Sequence, residues 1–546
     1  MKARWRAGVM WLIPAAVLLV AVLLVFGQCA AFGWTNWDDH LHVTDNPKLN
    51  PVTLAHLVEF WREPYGGLYI PVSYTLFGIE AWLGRSLFWV GNASAPPAAV
   101  FHVTSIALHG ACVLLVWRLL TTLVGRPWPA AAGAMLFAVH PLQVESVAWI
   151  SEQRGLLSAL FSLVALLCHL QARRSGEAFW HRGSWQAFAA FVAAILSKPS
   201  AMTLPLAAGA IDLLLLRRPW RRVAAELAPW CAVSAIAAIG TKLLQPDTIV
   251  LDLPPLGLRP IIAGDAIGFY VSKLLMPLQL GIDYGRTPES LLHDSLPWVG
   301  ALSIAAAIAL LFLLPALRSC RLPAVLFLAP LLPVLGFVPF AFQHISTVAD
   351  RYTYLAMLGP ALGISLVLAS PRLSVPLARI AKAAIVGVLV SLAFLSFRQA
   401  QVWRNCETLY AQAMRINPAS HHAHNNAGTA LLDAHEPKLA VEPLMAAVTL
   451  KPNFAKAHYN LATALHQLGE SSTAVEHYEA ALRLDPRHAD AHNNLGILLA
   501  QQGEFRLAIE NFLAAIAIRD DFSDARRNLE NARKLSGSVT NPAPTP

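Results

Sequence analysis

"VMWLIPAAVLLVAVLLVFG", residues 9–27, is a run of nineteen residues without a charged side chain. About 20 apolar residues cross the hydrocarbon core of a bilayer. The apolar region of a cleaved signal peptide has only about 7 to 15 residues. We therefore interpret this stretch as an uncleaved signal anchor, the first helix of a membrane protein.

The rest of the chain also has the composition of a membrane protein. Of its 546 residues, 56% are hydrophobic and 14% are charged, and the mean hydropathy is +0.50. Soluble proteins carry about 25% charged residues. Ten further apolar stretches bring the expected number of spans to about eleven: 98–120, 129–150, 155–171, 184–199, 201–216, 223–243, 295–316, 321–343, 352–370 and 380–397. Residues 261–281 contain Asp265 and Lys273, so we expect this segment to be interfacial or re-entrant.

The net charge of +8 follows membrane topology. Basic residues gather in short loops, as cytoplasmic loops of membrane proteins do, and this pattern argues against nucleic-acid binding. Five arginines each close a span that ends inside: Arg118, Arg173, Arg217, Arg318 and Arg372. This orientation places residues 28–97 and the C-terminal region on the outer face. The six cysteines show no disulfide or metal spacing.

After residue 398 the chain becomes polar and repeats with a period of 34. The segment "KAHYNLATALHQLGESSTAVEHYEAALRLDP", residues 456–486, aligns without gaps with the segments before and after it. Asparagine, proline and alanine recur at that interval: Asn426, Asn460, Asn494 and Asn528; Pro418, Pro452 and Pro486; Ala440, Ala474 and Ala508. A 34-residue helix–turn–helix period is typical of tetratricopeptide (TPR) repeats.

The predicted fold is therefore all-α, a polytopic transmembrane helix bundle followed by a soluble TPR α-solenoid. We expect a membrane domain over residues 1–398. The TPR array, about three full repeats with flanking helices, is expected over 399–535, and a disordered tail over 536–546.

Ionisable residues lie at the outward ends of several spans. Asp38 and Asp39 follow the first helix in "WTNWDDHLHVTDNPKLN", residues 34–50. The cations Arg154, Lys198 and Arg351 lie in three other segments, "HPLQVESVAWISEQRG", "ILSKPSAM" and "QHISTVADRYTYL". Charges at membrane depth are costly, and such residues are candidates for a functional site by default.

Each of these residues also has a purely structural explanation. Arg154 and Lys198 can extend to lipid head groups, and Asp38 and Asp39 can cap the next helix. Glu145, Trp149 and Glu152 share one face if their segment is helical, and the two acids there can be solvated or paired with cations. The convergence of acids and cations from four segments on one membrane face favours a site.

A single carboxylate with arginines suits the transfer of a sugar from a polyprenyl phosphate. The phosphate is already a good leaving group and needs only charge stabilisation, which arginine provides in a bidentate manner. The attacking hydroxyl needs a base. A glycosidase would instead need two carboxylates flanking the bond.

The order of several motifs resembles one family. "WDDHLHVTDNPKLN", "YIPVSYTLF", "FHVTSIALHGACVLL", "LFAVHPLQVESVAWISEQRGLLSALF", "SKPSAM", "DRYTYL" and "WRNCETLYAQAMRINP" precede the TPRs in this sequence. The series resembles the transmembrane-and-TPR protein O-mannosyltransferases, which are relatives of the GT-C glycosyltransferases. This resemblance implies a membrane enzyme that uses a dolichol- or polyprenyl-phosphate sugar, with mannose as the sugar. The chain departs from the family's eukaryotic members in having only about three TPRs.

By this resemblance, Asp38 and Asp39 match the family's paired acids, and Arg154 and Arg351 match basic positions. We expect Asp38 to be the general base and Asp39 to orient it or the sugar, and the sequence leaves the choice between them open. Arg154 and Arg351 would bind the donor phosphate, with Lys198 as a third candidate. Five further residues would support the site: His140, Glu145, Glu152, Asp350 and Tyr352. We expect no cofactor and no metal site, although the sequence leaves a divalent metal open.

The expected partners are membrane lipid, the polyprenyl-phosphate sugar and an exported protein or peptide bound by the TPRs. Asn426, Asn460 and Asn494 would form a ladder in the TPR groove and bind the peptide backbone. The alternative is that asparagine is a scaffold residue of the repeat. Composition and compact loops favour a bacterial inner membrane, with the site and the TPRs in the periplasm.

Two rival functions remain at this stage. A non-catalytic TPR scaffold for cell-envelope assembly explains the repeats and the topology, but it does not explain the gathered acids and arginines. An enzyme that glycosylates a lipid or polysaccharide is the second alternative. A transporter is disfavoured because ionisable residues in mid-span are few and no inverted repeat is evident.

Overall fold

The structure is a computed structural model that describes residues 2–88, 96–175, 182–244, 254–293, 296–338, 340–371 and 375–540. The described residues are helical, without a β-strand beyond two isolated bridges. They divide into two compact units, Met1–Leu409 and Tyr410–Pro546. The predicted all-α class is confirmed, and each unit is described by itself below.

The first unit is a bundle of sixteen α-helices in the described ranges, joined by short 3-10 and π turns. Their bounds are α1 Lys2–Phe26, α2 Leu54–Arg62, α3 Pro71–Phe88, α4 Ala98–Val124, α5 Pro127–Val139, α6 Val144–Ala148, α7 Gln153–Arg174, α8 Arg182–Ser197, α9 Leu204–Ala210, α10 Trp220–Leu244, α11 Arg259–Leu275, α12 Pro288–His293, α13 Leu296–Leu313, α14 Arg318–Leu331, α15 Leu358–Ala369 and α16 Val375–Ala400.

Six helical stretches among the described residues are long and apolar enough to cross a membrane, which identifies the chain as a membrane protein. They are Leu12–Ala31, Ala98–Val124, Ile150–Arg174, Trp220–Leu244, Pro315–Val334 and Arg379–Trp403. Four shorter apolar helices accompany them: Pro127–Val139, Pro199–Leu215, Trp298–Leu313 and Leu358–Ala369. The number of about eleven spans stays a prediction.

The expected continuous span over 129–150 is broken. Helix α5 ends at Val139, and His140 is extended with φ −75° and ψ 135°, as the residue before a proline must be. A 3-10 turn, the single helical turn α6 and a second 3-10 turn then lead into α7, with Trp149 extended between them. Glu145 and Glu152 therefore do not share one helix face, which corrects that expectation.

The segment 261–281 contains α11, whose two ionisable residues are both engaged. Asp265 pairs with Arg286 at 2.5 Å, and the ammonium of Lys273 donates to the carbonyls of Leu278 and Gln279 at 2.7 and 3.2 Å. Helix α11 is not among the candidate spans of the described residues. Whether it is re-entrant stays a prediction.

The far end of α7 carries a buried network of charges. Asp212 accepts from Arg218 at 2.9 Å and lies 3.2 Å from His169, and Glu226 pairs with Arg173 and Arg218 at 3.2 and 2.7 Å. Some of the arginines that the sequence assigns to inner loops are thus ion-paired within the bundle. Arg372, which was expected to close another span, lies outside the described residues.

The chain continues through α17 (Cys406–Ile416), which follows a 3-10 turn at Gln401–Trp403. The flanking helix before the first repeat is therefore α17, and it is separate from α16. The second unit pairs its helices as TPRs do: α18 His421–Asp433 with α19 Pro437–Leu450, α20 Ala455–Gln467 with α21 Ser471–Leu484, and α22 Ala489–Gln501 with α23 Phe505–Ile518, followed by α24 Ser523–Thr540. The TPR prediction is confirmed.

Small residues allow the paired TPR helices to approach closely. The recurring alanines are fully buried, at Ala440, Ala474 and Ala508. A Cβ at Gly496 would lie 2.7 Å from Cε1 of Phe512, so only glycine fits between α22 and α23. Helix α24 continues to Thr540, beyond the expected end of the array at residue 535, so residues 536–540 of the predicted tail are helical. Residues 541–546 lie outside the described residues.

Candidate active site

Asp39 joins the first loop to the start of α7. Its side chain is buried, and four hydrogen bonds reach its carboxylate. Oδ2 accepts from the backbone nitrogen and the hydroxyl of Thr35 at 3.1 and 2.9 Å. Oδ1 accepts from the backbone nitrogen and the hydroxyl of Ser151 at 3.0 and 2.6 Å. A carboxylate has about four lone-pair positions, so these donors occupy Asp39 in holding the loop. Burial raises the pKa of Asp39, and the four bonds offset part of that rise.

Asp38, in contrast, is accessible to solvent. Its side chain is 40% exposed, and its Oδ2 lies 3.9 Å from Nη2 of Arg154. Burial nevertheless raises the pKa of Asp38, while Arg154, Arg351 and His40 lower it in part. The exposure and the raised pKa are compatible in a cleft, where water touches the carboxylate but the surrounding protein replaces most of the bulk solvent. The two adjacent acids therefore occupy different environments.

The loop that carries these acids is an ordered element. The nitrogen of His42 donates to the carbonyl of Asp38 at 3.1 Å, and the amide of Asn50 donates to the carbonyls of Val43 and Thr44 at 2.6 and 2.8 Å. Beneath the loop lies a small apolar core made of Val43, Leu49, Phe60, Ile70, Tyr74 and Phe77. This core fixes where the acids lie relative to α7.

Arg154 lies in the first turn of α7 and directs each guanidinium nitrogen at a different group. Nη2 faces Asp38, Nε lies 3.5 Å from Oε2 of Glu152, and Nη1 lies 3.4 Å from Nε2 of His42. The guanidinium carbon is 5.8 Å from the ring centre of Trp149. Its side chain is 14% exposed. Arg154 is therefore the cation that lies beside the accessible acid.

Glu152 connects Arg154 with Lys198. The ammonium of Lys198 donates to Oε1 of Glu152, which is buried. Lys198 follows the last residue of α8 and precedes Pro199, so the end of α8 directs its side chain toward α7. Glu152 therefore lies between two of the cations, and its supporting role in a site stays a prediction.

Arg351 is buried against the segment that carries Glu145 and Trp149. Its backbone nitrogen and Nη1 donate to the two carboxylate oxygens of Glu145 at 2.8 and 2.6 Å. Its guanidinium lies against three rings, at 4.2 Å from Phe342, 4.9 Å from Tyr352 and 5.3 Å from Trp149. Glu145 and Tyr352 thus hold Arg351 in place, and their supporting role in a site stays a prediction.

Two of the expected supporting residues serve other contacts. Both carboxylate oxygens of Asp350 accept from the hydroxyl of Tyr284, at 2.8 and 2.9 Å, so Asp350 does not pair with a site cation as expected. His140 bonds the carbonyl of Leu274 through Nε2 at 3.1 Å and accepts from the nitrogen of Leu142 through Nδ1 at 3.2 Å. His140 therefore caps the broken segment and does not reach the cations through these bonds.

A cavity that is partly open to solvent lies beside the cations, and its volume available to water-sized molecules is about 60 Å³. One end is polar, with Glu152, Lys198, Arg351 and Tyr352. The remainder is mostly apolar, with Leu166, Leu204, Ala207, Leu326, Ala329 and Leu358 in its wall. Along α7 the lining extends from Glu152 to Leu166, roughly 21 Å at about 1.5 Å per residue. The polarity of this lining suits an anionic group next to an apolar chain.

Four residues that the structure brings into the site region were not predicted from the sequence: Thr35, His42, Tyr74 and Ser151. Thr35 and His42 lie in the same quoted loop as Asp38, but a threonine or histidine there carries no signal by itself. Ser151 lies three residues before Arg154, and only the contact with Asp39 reveals its role. Across the described residues, no three His, Cys, Asp or Glu side chains are grouped closely enough to hold a metal ion.

In the TPR unit, asparagines bond to one another both within and between repeats. The amide of Asn460 is buried and donates to Asn425 and Thr429 at 2.9 and 3.0 Å. Asn494 accepts from Asn493 at 3.1 Å, and Asn426 accepts from Asn425 at 2.9 Å. Asn460 therefore stabilises the stack instead of offering its amide to a peptide, which corrects that expectation. A peptide-binding role for Asn426 and Asn494 stays a prediction.

Known sequence families match the C-terminal part of the chain. Models described as tetratricopeptide repeats match residues 425–483 and 489–522, and one described as a TPR repeat matches residues 464–503. These agree with the helix pairs of the second unit.

Relatives match the membrane unit as well. A protein O-mannosyl-transferase of Caenorhabditis elegans is 24% identical over 439 residues, which cover 77% of this chain and 60% of that protein. The chain is a distant relative of the protein O-mannosyl-transferases. The family member TMTC4 of Mus musculus is 28% identical over 25% of this chain and 20% of its own length. Tmtc2 of Drosophila melanogaster is 31% identical over 24% of this chain and 14% of its own length.

The chain spans at most about 60% of the length of these relatives of the family. Among solved structures, the crystal structure of the MamA protein is similar at 26% identity, with a TM-score of 0.23, over 24% of this chain and 72% of that chain.

Proposed function

We propose that this protein transfers a sugar, mannose by its likeness to the family, from a polyprenyl phosphate to a hydroxyl group of an exported protein. The observation that carries the proposal is an accessible carboxylate, Asp38, 3.9 Å from Arg154 in a loop close to the polar end of an amphipathic cavity. The names of the related proteins support a glycosyltransferase role.

In this mechanism Asp38 removes the proton of the acceptor hydroxyl as its oxygen attacks the anomeric carbon. The bond between that carbon and the phosphate oxygen breaks, and polyprenyl phosphate leaves with the electron pair. The raised pKa of Asp38 makes it a better base than an ordinary aspartate. Asp39 holds the loop, so we assign the base to Asp38 alone.

The cations would stabilise the leaving phosphate. Arg351 and Lys198 line the polar end of the cavity, and Arg154 lies next to Asp38. Charge stabilisation of a developing phosphate in a site with little bulk water is worth several kcal/mol. The apolar wall of the cavity would hold the first part of the polyprenyl chain.

We place the site on the non-cytoplasmic face, in a bacterial inner membrane. Arg154 lies at one end of α7, and the charge network with Arg173 and Arg218 lies at the other, arginine-rich end. The helix has 22 residues and is roughly 33 Å long. By the positive-inside rule the arginine-rich end is cytoplasmic. The TPR unit would then present an acceptor polypeptide on the same side as Asp38.

The test is sugar transfer by the purified protein from a polyprenyl-phosphate mannose donor to Ser/Thr-rich peptides. We expect Asp38→Asn to lower kcat by about 100-fold or more, the range for loss of a general base. Asp45→Asn is the matched control, because Asp45 is exposed in the same loop and its carboxylate accepts from the hydroxyl of its neighbour Thr44, a bond that an asparagine oxygen can also accept.

Turnover by Asp38→Asn close to wild type would overturn the mechanism. If the wild-type protein neither hydrolyses nor transfers sugar from any lipid-linked donor that is tested, the result would instead favour the non-catalytic TPR scaffold.

A further inference from the structure

His42 lies between Arg154 and the core beneath the loop. Its Nε2 is 3.4 Å from Nη1 of Arg154, and its Nδ1 is 2.9 Å from the hydroxyl oxygen of Tyr74. That hydroxyl lies 3.4 Å from the carbonyl oxygen of Tyr65. The imidazole is buried, with 4% of its surface exposed. Each polar atom of the ring thus faces one defined group.

These contacts select one tautomer. A guanidinium only donates hydrogen bonds, so Nε2 must accept from Arg154. The proton is therefore on Nδ1 and is donated to the oxygen of Tyr74, whose own proton goes to the carbonyl of Tyr65. Burial, with Arg154 and His40 nearby, lowers the pKa of His42 to about 3, so the ring is neutral near pH 7.

We propose that His42 is a positioning residue that holds the guanidinium of Arg154 toward Asp38, and this rests on the proposed function. Arg154 has two acidic neighbours, Asp38 at 3.9 Å and Glu152 at 3.5 Å. The acceptor at Nε2 of His42 fixes one edge of the guanidinium, which keeps a second edge toward Asp38. Without this acceptor the guanidinium turns to Glu152, and Asp38 loses its cation.

Two substitutions separate this role from simple packing. In His42→Gln the side chain reaches the position of Nε2 and places an amide oxygen there, so Arg154 keeps its acceptor. In His42→Asn the shorter amide reaches only the position of Nδ1, so the bond to Tyr74 is kept and the bond to Arg154 is lost. Both variants are compared in the purified full-length protein, with thermal unfolding in detergent as a check on folding.

We expect His42→Gln to keep kcat/KM for the lipid donor within about threefold of wild type. We expect His42→Asn to lower it by about tenfold or more, since misplacement of a catalytic group by about 1 Å can cost 100-fold. In an Arg154→Ala background, the two substitutions should have equal effects.

The pH dependence of kcat/KM distinguishes this positioning role from a purely structural one, which would leave the acid limb unchanged. The groups that act on Asp38 are Arg154, Arg351, His40 and Glu152, and Arg154 is the strongest cation among them. Loss of Arg154 from its position raises the pKa of Asp38. The acid limb of kcat/KM should therefore move to higher pH in His42→Asn and stay in place in His42→Gln.

Equal activities and equal acid limbs in the two variants, whether both are near wild type or both low, overturn the proposal. If His42→Asn does not fold, Tyr74→Phe decides the matter. It removes the acceptor for the Nδ1 proton, allows the proton to move to Nε2 against Arg154, and should move the acid limb upward. An unmoved acid limb in Tyr74→Phe overturns the proposal as well.

Failure of the proposed function has a different signature. In that case Asp38→Asn is as active as wild type in transfer, or wild type is inactive. An active wild type, an inactive Asp38→Asn and indistinguishable His42 variants refute only the role of His42.

Discussion

Asp38 and Asp39 are adjacent, yet we predict that replacing them has opposite consequences. Asp39→Ala should destabilise the membrane unit, whereas Asp38→Ala should abolish transfer and leave the fold intact. The difference follows from the four hydrogen bonds on Asp39 and the single ion contact at 3.9 Å on Asp38.

The size of the effect can be worked out from these contacts. After Asp39→Ala the hydroxyls of Thr35 and Ser151 can rotate to other acceptors, but their backbone N–H groups remain buried without the carboxylate. A buried unsatisfied donor costs about 1–3 kcal/mol, so the two together cost about 2–6 kcal/mol. The side chain of Asp38 is itself 40% exposed and has one ion contact, with Arg154, and exposed ion pairs contribute about 0–1 kcal/mol.

The assay is thermal unfolding of the purified protein in mild detergent, followed by tryptophan fluorescence, alongside the transfer assay. A loss of about 2 kcal/mol or more should lower the apparent Tm of Asp39→Ala by at least about 3 °C. Asp38→Ala should unfold within about 1 °C of wild type, since it loses at most the small ion-pair contribution. An Asp39→Ala protein as stable as wild type would refute the assignment of Asp39 to the fold.

Three further outcomes are expected. A Cβ at Gly155 would overlap the carboxylate of Glu152, which connects Arg154 with Lys198, so Gly155→Ala should lower kcat at least about tenfold. Gly240→Ala should not lower kcat, because a Cβ there would meet nothing within 4 Å. Asp38 must be ionised to act as a base, and its pKa is raised, so kcat should fall as the pH drops through a value above the usual 3.8. Arg154→Ala should move this acid limb of the pH profile to higher pH, because Arg154 lowers the pKa of Asp38. Asp212→Ala removes the acid beside the buried His169 and leaves Arg218 with Glu226 as its remaining partner, so unfolding measurements should show a loss of about 1–3 kcal/mol, while KM for the donor remains unchanged.

The elements with a strong periodic signal were predictable from sequence. The 34-residue period predicts the helix pairs of the second unit and the buried alanines at their crossings, because the same close approach recurs in each repeat. Apolar length predicts the long helices of the first unit.

The candidate site was predictable only as a set of residues. The sequence shows acids and cations near one end of several helices, but it does not show that four donors surround Asp39 while Asp38 stays accessible. The break after Val139 was missed because residues 129–150 are mostly apolar, and the effect of one His-Pro pair within such a run depends on its packing. The pairing of Asp350 with Tyr284 joins residues 66 apart, which no local pattern reveals.

The central proposal is that one cavity holds the polyprenyl-phosphate donor with its head group at the cations beside Asp38. Photo-crosslinking of a diazirine-bearing polyprenyl-phosphate mannose to the purified protein in vesicles, followed by peptide mapping, tests it. We expect labels on α7, α9, α14 and α15 at the apolar wall, near Leu166, Leu204, Leu326 and Leu358, and their loss when unlabelled donor competes. Labels confined to the lipid-facing surface, unaffected by competition, would contradict the proposal.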